Sequence, residues 1–177
     1  LNQIEITALA DIPSGTGLGS SSSFTNALIK AIFENNGKKI SKKKLAELSC
    51  DIEINKLKAP IGKQDQFISS FGGLKSMTFK KNHSVTIKDL KMSKKKIREL
   101  ERKLVLYFTN FKRDANFILK EQDNDSKKGS RSILENLNSV KLMGKKVEKI
   151  LEKGDLEKFG LIMNEHWEIK KKRSKNM

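Results

Sequence analysis

Apolar and polar positions alternate from the start of the chain. In NQIEITALADI, Ile4, Ile6, Ala8, Ala10 and Ile12 point one way, while Glu5, Thr7 and Asp11 point the other. A period of two predicts a strand with one buried face. The period then changes. Phe24, Ala27, Leu28, Ala31 and Ile32 recur at three- and four-residue spacing, which predicts an amphipathic helix, and Asn35-Asn36-Gly37 supplies residues that tolerate a left-handed stop.

Ser41 is the expected N-cap of a second helix, which carries Leu45, Leu48 and Ile52 to about Leu57. Pro60 then disfavours helix at Ala59. A short helix from about Gln64 to Ser70 ends at Gly72-Gly73, and SMTFKK and SVTIKDL read as two strands joined by a turn around Asn82. A lysine-rich helix follows near 93–103, and KLVLYFTN reads as a continuous apolar strand of the fully buried kind. From Asp114 onward the pattern is helical, with a short segment near 114–122. A long helix is expected over 131–153, carrying Ile133, Leu137, Val140, Val147 and Ile150. The last helix, 155–172, carries Leu156, Phe159, Met163 and Trp167 as its packing residues. The whole predicts an α+β fold, and the shift in composition near residue 92 divides it into segments 1–92 and 93–177.

Composition changes this picture only a little. The net charge of +16 raises the question of a nucleic-acid partner, yet only five of the 37 basic residues are arginine. The lysines fall on helix faces and in runs such as Lys42-Lys43-Lys44 and Lys94-Lys95-Lys96, a pattern of solvated helix surface that does not favour nucleic acid. Phosphorylated small molecules remain among the anions such a surface suits. Cys50 is the only cysteine, so an internal disulfide is excluded, and the residue reads as a packed thiol in a reducing compartment. No leader pattern and no run of about 18 apolar residues occurs, so a soluble cytoplasmic protein with no membrane partner is expected.

The candidate chemistry lies in DIPSGTGLGSSSSF, residues 11–24. Ordered elements abut both ends, which excludes a linker and leaves a plain strand-to-helix turn or a phosphate-binding loop. Glycines let backbone N–H groups approach an anion at the positive end of a helix. A Walker loop is excluded, since no lysine occurs between Asp11 and Ile29, and Ser20 stands where a dinucleotide fingerprint needs glycine. Downstream, Glu53 and Asp65 lie twelve residues apart on either side of a proline-glycine corner. They read either as a solvated helix residue and a helix cap or as two carboxylates facing one cleft.

These segments resemble the GHMP kinases. PSGTGLGSSSSF is similar to that family's phosphate loop, roughly Pro-x-Gly-x-Gly-Leu-Gly-Ser-Ser-Ala. Pro13, Gly15, Gly17, Leu18, Gly19, Ser20 and Ser21 match, and Ser22 replaces the alanine. EINKLKAPIGKQDQFISSFGG resembles the galactokinase pattern of a glutamate followed by Gly-x-x-Asp-Gln-Phe, with the same separation. The resemblance implies ATP phosphates cradled by Pro13, Gly15, Gly17, Leu18, Gly19, Ser20, Ser21 and Ser22. It further implies Mg²⁺ held by Ser21 and Glu53, and Asp65 acting as base or orienting the attacking hydroxyl.

The string from Pro60 to Gln66 is most similar to the heptose-phosphate kinases and related fucokinase domains, which phosphorylate an anomeric hydroxyl. On that resemblance Lys63, Gln64 and Arg113 are the residues expected to meet a sugar or sugar-phosphate substrate. The implied fold is GHMP kinase-like and two-domain, truncated at both ends. Residues 1–92 would be the latter part of the ATP-binding domain, which is similar to a ribosomal protein domain, and 93–177 the beginning of a C-terminal α+β part. The alternatives are another GHMP sugar kinase or a non-catalytic basic module that binds polyanions.

Overall fold

A computed structural model describes residues 4–12, 16–108, 119 and 131–171. The first half of these residues forms a three-helix layer. Helix α1 spans Ser20–Asn35, α2 spans Lys42–Cys50, and α3 spans Gln64–Phe71. Ser41 caps α2 as its sequence predicts, accepting a hydrogen bond from Lys44 N–H at 3.3 Å. α2 runs directly into a π-helix, Asp51–Lys56, closed by Leu57 N–H donating to the Ile52 carbonyl at 2.9 Å. Lys58 then takes a left-handed φ of 54°, and Ala59 N–H reaches back to the Glu53 carbonyl at 3.0 Å.

α2 and α3 run in opposite senses. Lys42, at the start of α2, donates from Nζ to the Phe71 carbonyl and accepts from Ser70 Oγ, both at the end of α3. The end of α2 and its π-turn therefore meet the start of α3, which is where the candidate residues lie.

Strands β1 (Lys75–Phe79) and β2 (Val85–Asp89) form the expected antiparallel hairpin, with Met77 opposite Ile87 and Phe79 opposite Val85. Met77, Val85 and Ile87 pack against a core of Ala46, Cys50 and Phe67. The other face of the hairpin meets the second helical group: α4 (Lys94–Lys103), α5 (Arg131–Lys153) and α6 (Leu156–Lys171). Ser76 donates to Glu148 of α5 at 3.0 Å, and Lys88 bridges Glu148 and Glu152. A second core of Leu100, Leu151 and Leu156 takes in Leu74, Leu90 and Met92, so apolar packing is continuous across residue 92. Among the described residues no helix is long and apolar enough to cross a membrane.

Four expectations are corrected. Residues 4–12 form no strand and lie exposed, Ile4, Ile6, Ala8, Ala10 and Ile12 included. Residues 104–108 likewise form no strand, and the apolar run is on the surface, with Tyr107 80% exposed. The reason is common to both. A strand needs a neighbour to satisfy its backbone groups, and among the described residues the only ladder is between β1 and β2.

The third correction concerns α1, whose buried residues are Ser22, Asn26 and Ile29, while Phe24, Ala27 and Ala31 are exposed. The helix turns a polar face inward because that face finds hydrogen-bond partners on the π-turn and α3. In α6 the buried side chains are Leu156 and Ile162, whereas Met163 and Trp167 are exposed. Trp167 instead lies beneath the Lys171 ammonium, 5.8 Å from the ring centre. The segment expected to be helical near 114–122 falls almost wholly outside the described residues.

Candidate active site

The glycine-serine segment becomes the N-terminus of α1. Gly17 and Gly19 take left-handed φ values of 74° and 70°, and Gly19 is the N-cap. As a glycine, the N-cap offers no side-chain acceptor to the first-turn N–H groups of α1. Pro13 and Gly15 lie outside the described residues. Leu18 is 46% exposed and Ser20 half-buried.

Glu53 is the centre of the arrangement. It is only 2% exposed, held in the π-turn between α1 and α3. Ser21 Oγ donates to its Oε1, Ser22 Oγ to its Oε2 at 2.9 Å, and Gln66 Nε2 also to Oε2. No described lysine or arginine forms an ion pair with it. A buried carboxylate held by three neutral donors is an arrangement that uses the oxygens for orientation and leaves the charge uncompensated.

Asp65 stands in the first turn of α3, where the helix dipole favours an anion. Its carboxyl carbon is 3.4 Å from the place a Cβ on Gly19 would occupy. The glycine-serine loop, Glu53 and Asp65 are thus brought to one place, and the solvated-surface reading of Glu53 is excluded by its burial.

The remaining candidates are dispersed. Gln64 is exposed, and Lys63 is turned to the hairpin, donating from Nζ to the His83 carbonyl at 2.9 Å. Lys63, Cys50, Phe67 and His83 line a cavity of about 510 Å³ there. Burial in that wall pushes the Cys50 thiol up to about 11, against the opposing pull of Lys63. Arg113 lies outside the described residues.

Sequence reasoning missed Gln66 and Asn26. Gln66 is fully buried, and Asn26 Nδ2 donates to its carbonyl at 2.9 Å and to Ser69 Oγ at 2.6 Å. The available signal was a polar residue beside Phe67 on the inner face of a short helix.

The oxygen donors present suit Mg²⁺. One carboxylate and a serine hydroxyl are hard ligands, and Mg²⁺ takes few protein ligands because it keeps water and substrate phosphate oxygens. Among the described residues no cluster of three or more acidic, histidine or cysteine side chains offers a fuller cage.

Residues 2–73 match the family model of the GHMP kinases N terminal domain. This stretch is similar to that family's domain. The chain is also 34% identical over 162 residues to a D-glycero-alpha-D-manno-heptose 7-phosphate kinase of Campylobacter jejuni, covering 92% of this chain and 47% of the relative. The crystal structure of a D-glycero-D-manno-heptose 1-phosphate kinase from Bacteriodes thetaiotaomicron superposes with a TM-score of 0.74 at 32% identity, covering 93% of this chain and 47% of that one. The structure of a putative sugar kinase from Campylobacter jejuni gives 0.69 at 32% identity, with coverages of 94% and 44%. The chain spans about half the length of the relatives it matches. The likeness extends beyond the matched domain into α4–α6, and it carries the GHMP kinase-like fold expected of the sequence.

Proposed function

We propose that this chain carries the phosphate- and metal-binding part of an ATP-dependent sugar kinase of the GHMP type. Its acceptor is the anomeric hydroxyl of D-glycero-D-manno-heptose 7-phosphate, and its product the 1,7-bisphosphate. The observation that carries the reading is the meeting of Glu53, the first-turn serines of α1 and Asp65 at one glycine-lined corner. The names of the relatives support a heptose phosphate as acceptor. We assign residues 1–92 to the ATP-binding domain and 93–177 to the start of the C-terminal domain. Cytoplasmic residence suits a chain whose one cysteine is a buried free thiol.

In this mechanism the N–H groups of Gly17 to Ser21 cradle the ATP phosphates, joined by Pro13, Gly15 and Ser22 in shaping the loop. Ser21 and Glu53 would hold Mg²⁺, which when bound would neutralise charge on the transferring phosphoryl oxygens. Asp65 orients the hydroxyl and accepts its proton as the oxygen–phosphorus bond forms and the bond to ADP breaks. Lys63, Gln64 and Arg113 are our candidates for the sugar and its phosphate. Catalysis rests on positioning and charge stabilisation.

The test offers ATP with a panel of sugars and sugar phosphates to the protein and its Asp65→Asn variant. Transfer to a heptose 7-phosphate, abolished in the variant while ATP still binds, is the expected result. Full turnover by Asp65→Asn overturns the role of Asp65.

A further inference from the structure

Glu53 presents two oxygens to different surroundings. Oε1 receives the Ser21 hydroxyl, and Ser21 is exposed. Oε2 receives two donors that are themselves buried, Ser22 at 3% exposure and Gln66 at 0%. The Gln66 amide is also fixed in sense. Turned over, its carbonyl oxygen would face the carboxylate, so Nε2 points at Glu53 while Oε1 is left without a partner. The Gln66 main chain is tied in turn to the buried Asn26.

We propose that Ser22 and Gln66 are positioning residues that fix Oε2 of Glu53, so that Oε1 is the oxygen offered, with Ser21, to the metal. The inference rests on the kinase reading above and deepens it. Binding a cation through Oε1 and Ser21 Oγ displaces the Ser21–Glu53 hydrogen bond, because both atoms then direct lone pairs to the ion. The two bonds to Oε2 survive that change and hold the carboxylate in register throughout. Ser22 is thus more than a small residue in place of another, since the alanine of the family's loop pattern has no hydroxyl to donate.

The test uses the full chain with Mn²⁺ as probe, followed by electron paramagnetic resonance in the presence of ADP. The variants are Ser22→Ala, Gln66→Met and Glu53→Gln. Loss of one hydrogen bond to a buried carboxylate weakens Mn²⁺ binding roughly ten-fold in Ser22→Ala and at least as much in Gln66→Met. Metal-free ADP affinity stays unchanged in Gln66→Met, which a merely structural defect of the site would not allow. Ser22→Ala and Gln66→Met with the Mn²⁺ affinity of the parent overturn the positioning role. If Glu53→Gln also leaves Mn²⁺ affinity untouched, Glu53 is no ligand, and both this inference and the metal assignment beneath it fall. If Glu53→Gln abolishes binding while the other two do not, only the present inference falls.

Discussion

Alanine in place of Gly19 and alanine in place of Gly144 are the same chemical change with opposite expected signs. Gly19 caps α1 at φ 70°, a conformation that costs a residue with a Cβ about 1–2 kcal/mol. The new methyl would also stand 3.4 Å from the Asp65 carboxyl carbon. A smaller unfolded-state entropy returns only part of this, about 0.4–1 kcal/mol, leaving a net loss of about 1 kcal/mol. Gly144 lies inside α5, and nothing stands within 4 Å of a Cβ built on it. There the gain in helix propensity is about 0.8–1 kcal/mol. The two variants should therefore differ by about 2 kcal/mol. In a chain of this size that places their Tm values about 4–8 °C apart on either side of the parent. Urea unfolding followed by circular dichroism measures the gap, and ATP affinity should fall only in Gly19→Ala. Equal shifts of the same sign would refute the left-handed cap, and unchanged ATP affinity in Gly19→Ala would refute its place in the phosphate loop.

Three further outcomes are expected. Phe67 is 2% exposed and stacks on Phe71 with ring centres 6.3 Å apart, so Phe67→Ala should cost about 3–5 kcal/mol in urea unfolding. Cys50 should resist a maleimide at pH 8 in the folded protein and react after denaturation. Its thiol ionises near 9.0 when exposed and near 11 when folded, so across that window the unfolded chain binds fewer protons and stability falls as pH rises. Cys50→Ser should flatten that fall, and an unaltered pH–stability profile between those values would count against the burial argument.

The helices were legible because their signals are local. Ser41 and the Asn35-Asn36-Gly37 stop act within one turn, and the start of α2 and both ends of α4 and α5 fall within a residue or two of expectation, whereas α2 gives way to the π-turn at Asp51 instead of continuing to about Leu57. The hairpin was legible for the same reason, since its turn at Asn82 and its pairing are close in sequence. Residues 4–12 and 104–108 were not. Alternation and apolarity state which face a strand would bury, but no local pattern names the strand beside it. In the candidate site, Glu53, Asp65 and the loop serines were readable from spacing and resemblance, whereas Gln66 and the bond of Ser22 to Glu53 were not. Their importance arises from three elements meeting at one carboxylate, a tertiary fact with no sequence period.

The π-turn at Asp51–Lys56 has a consequence for chain length. A helix advances about 100° per residue, so removing one residue from the turn would restore an ordinary α-helix and rotate everything beyond it by that angle. Hydrogen bonding along the helix would improve, yet Pro60 and the start of α3 would swing away from α1, carrying Gln66 and Asp65 off Glu53 and Gly19. The extra residue behaves as a spacer whose worth lies in angle: a locally poorer helix sets the heading at which the next one begins.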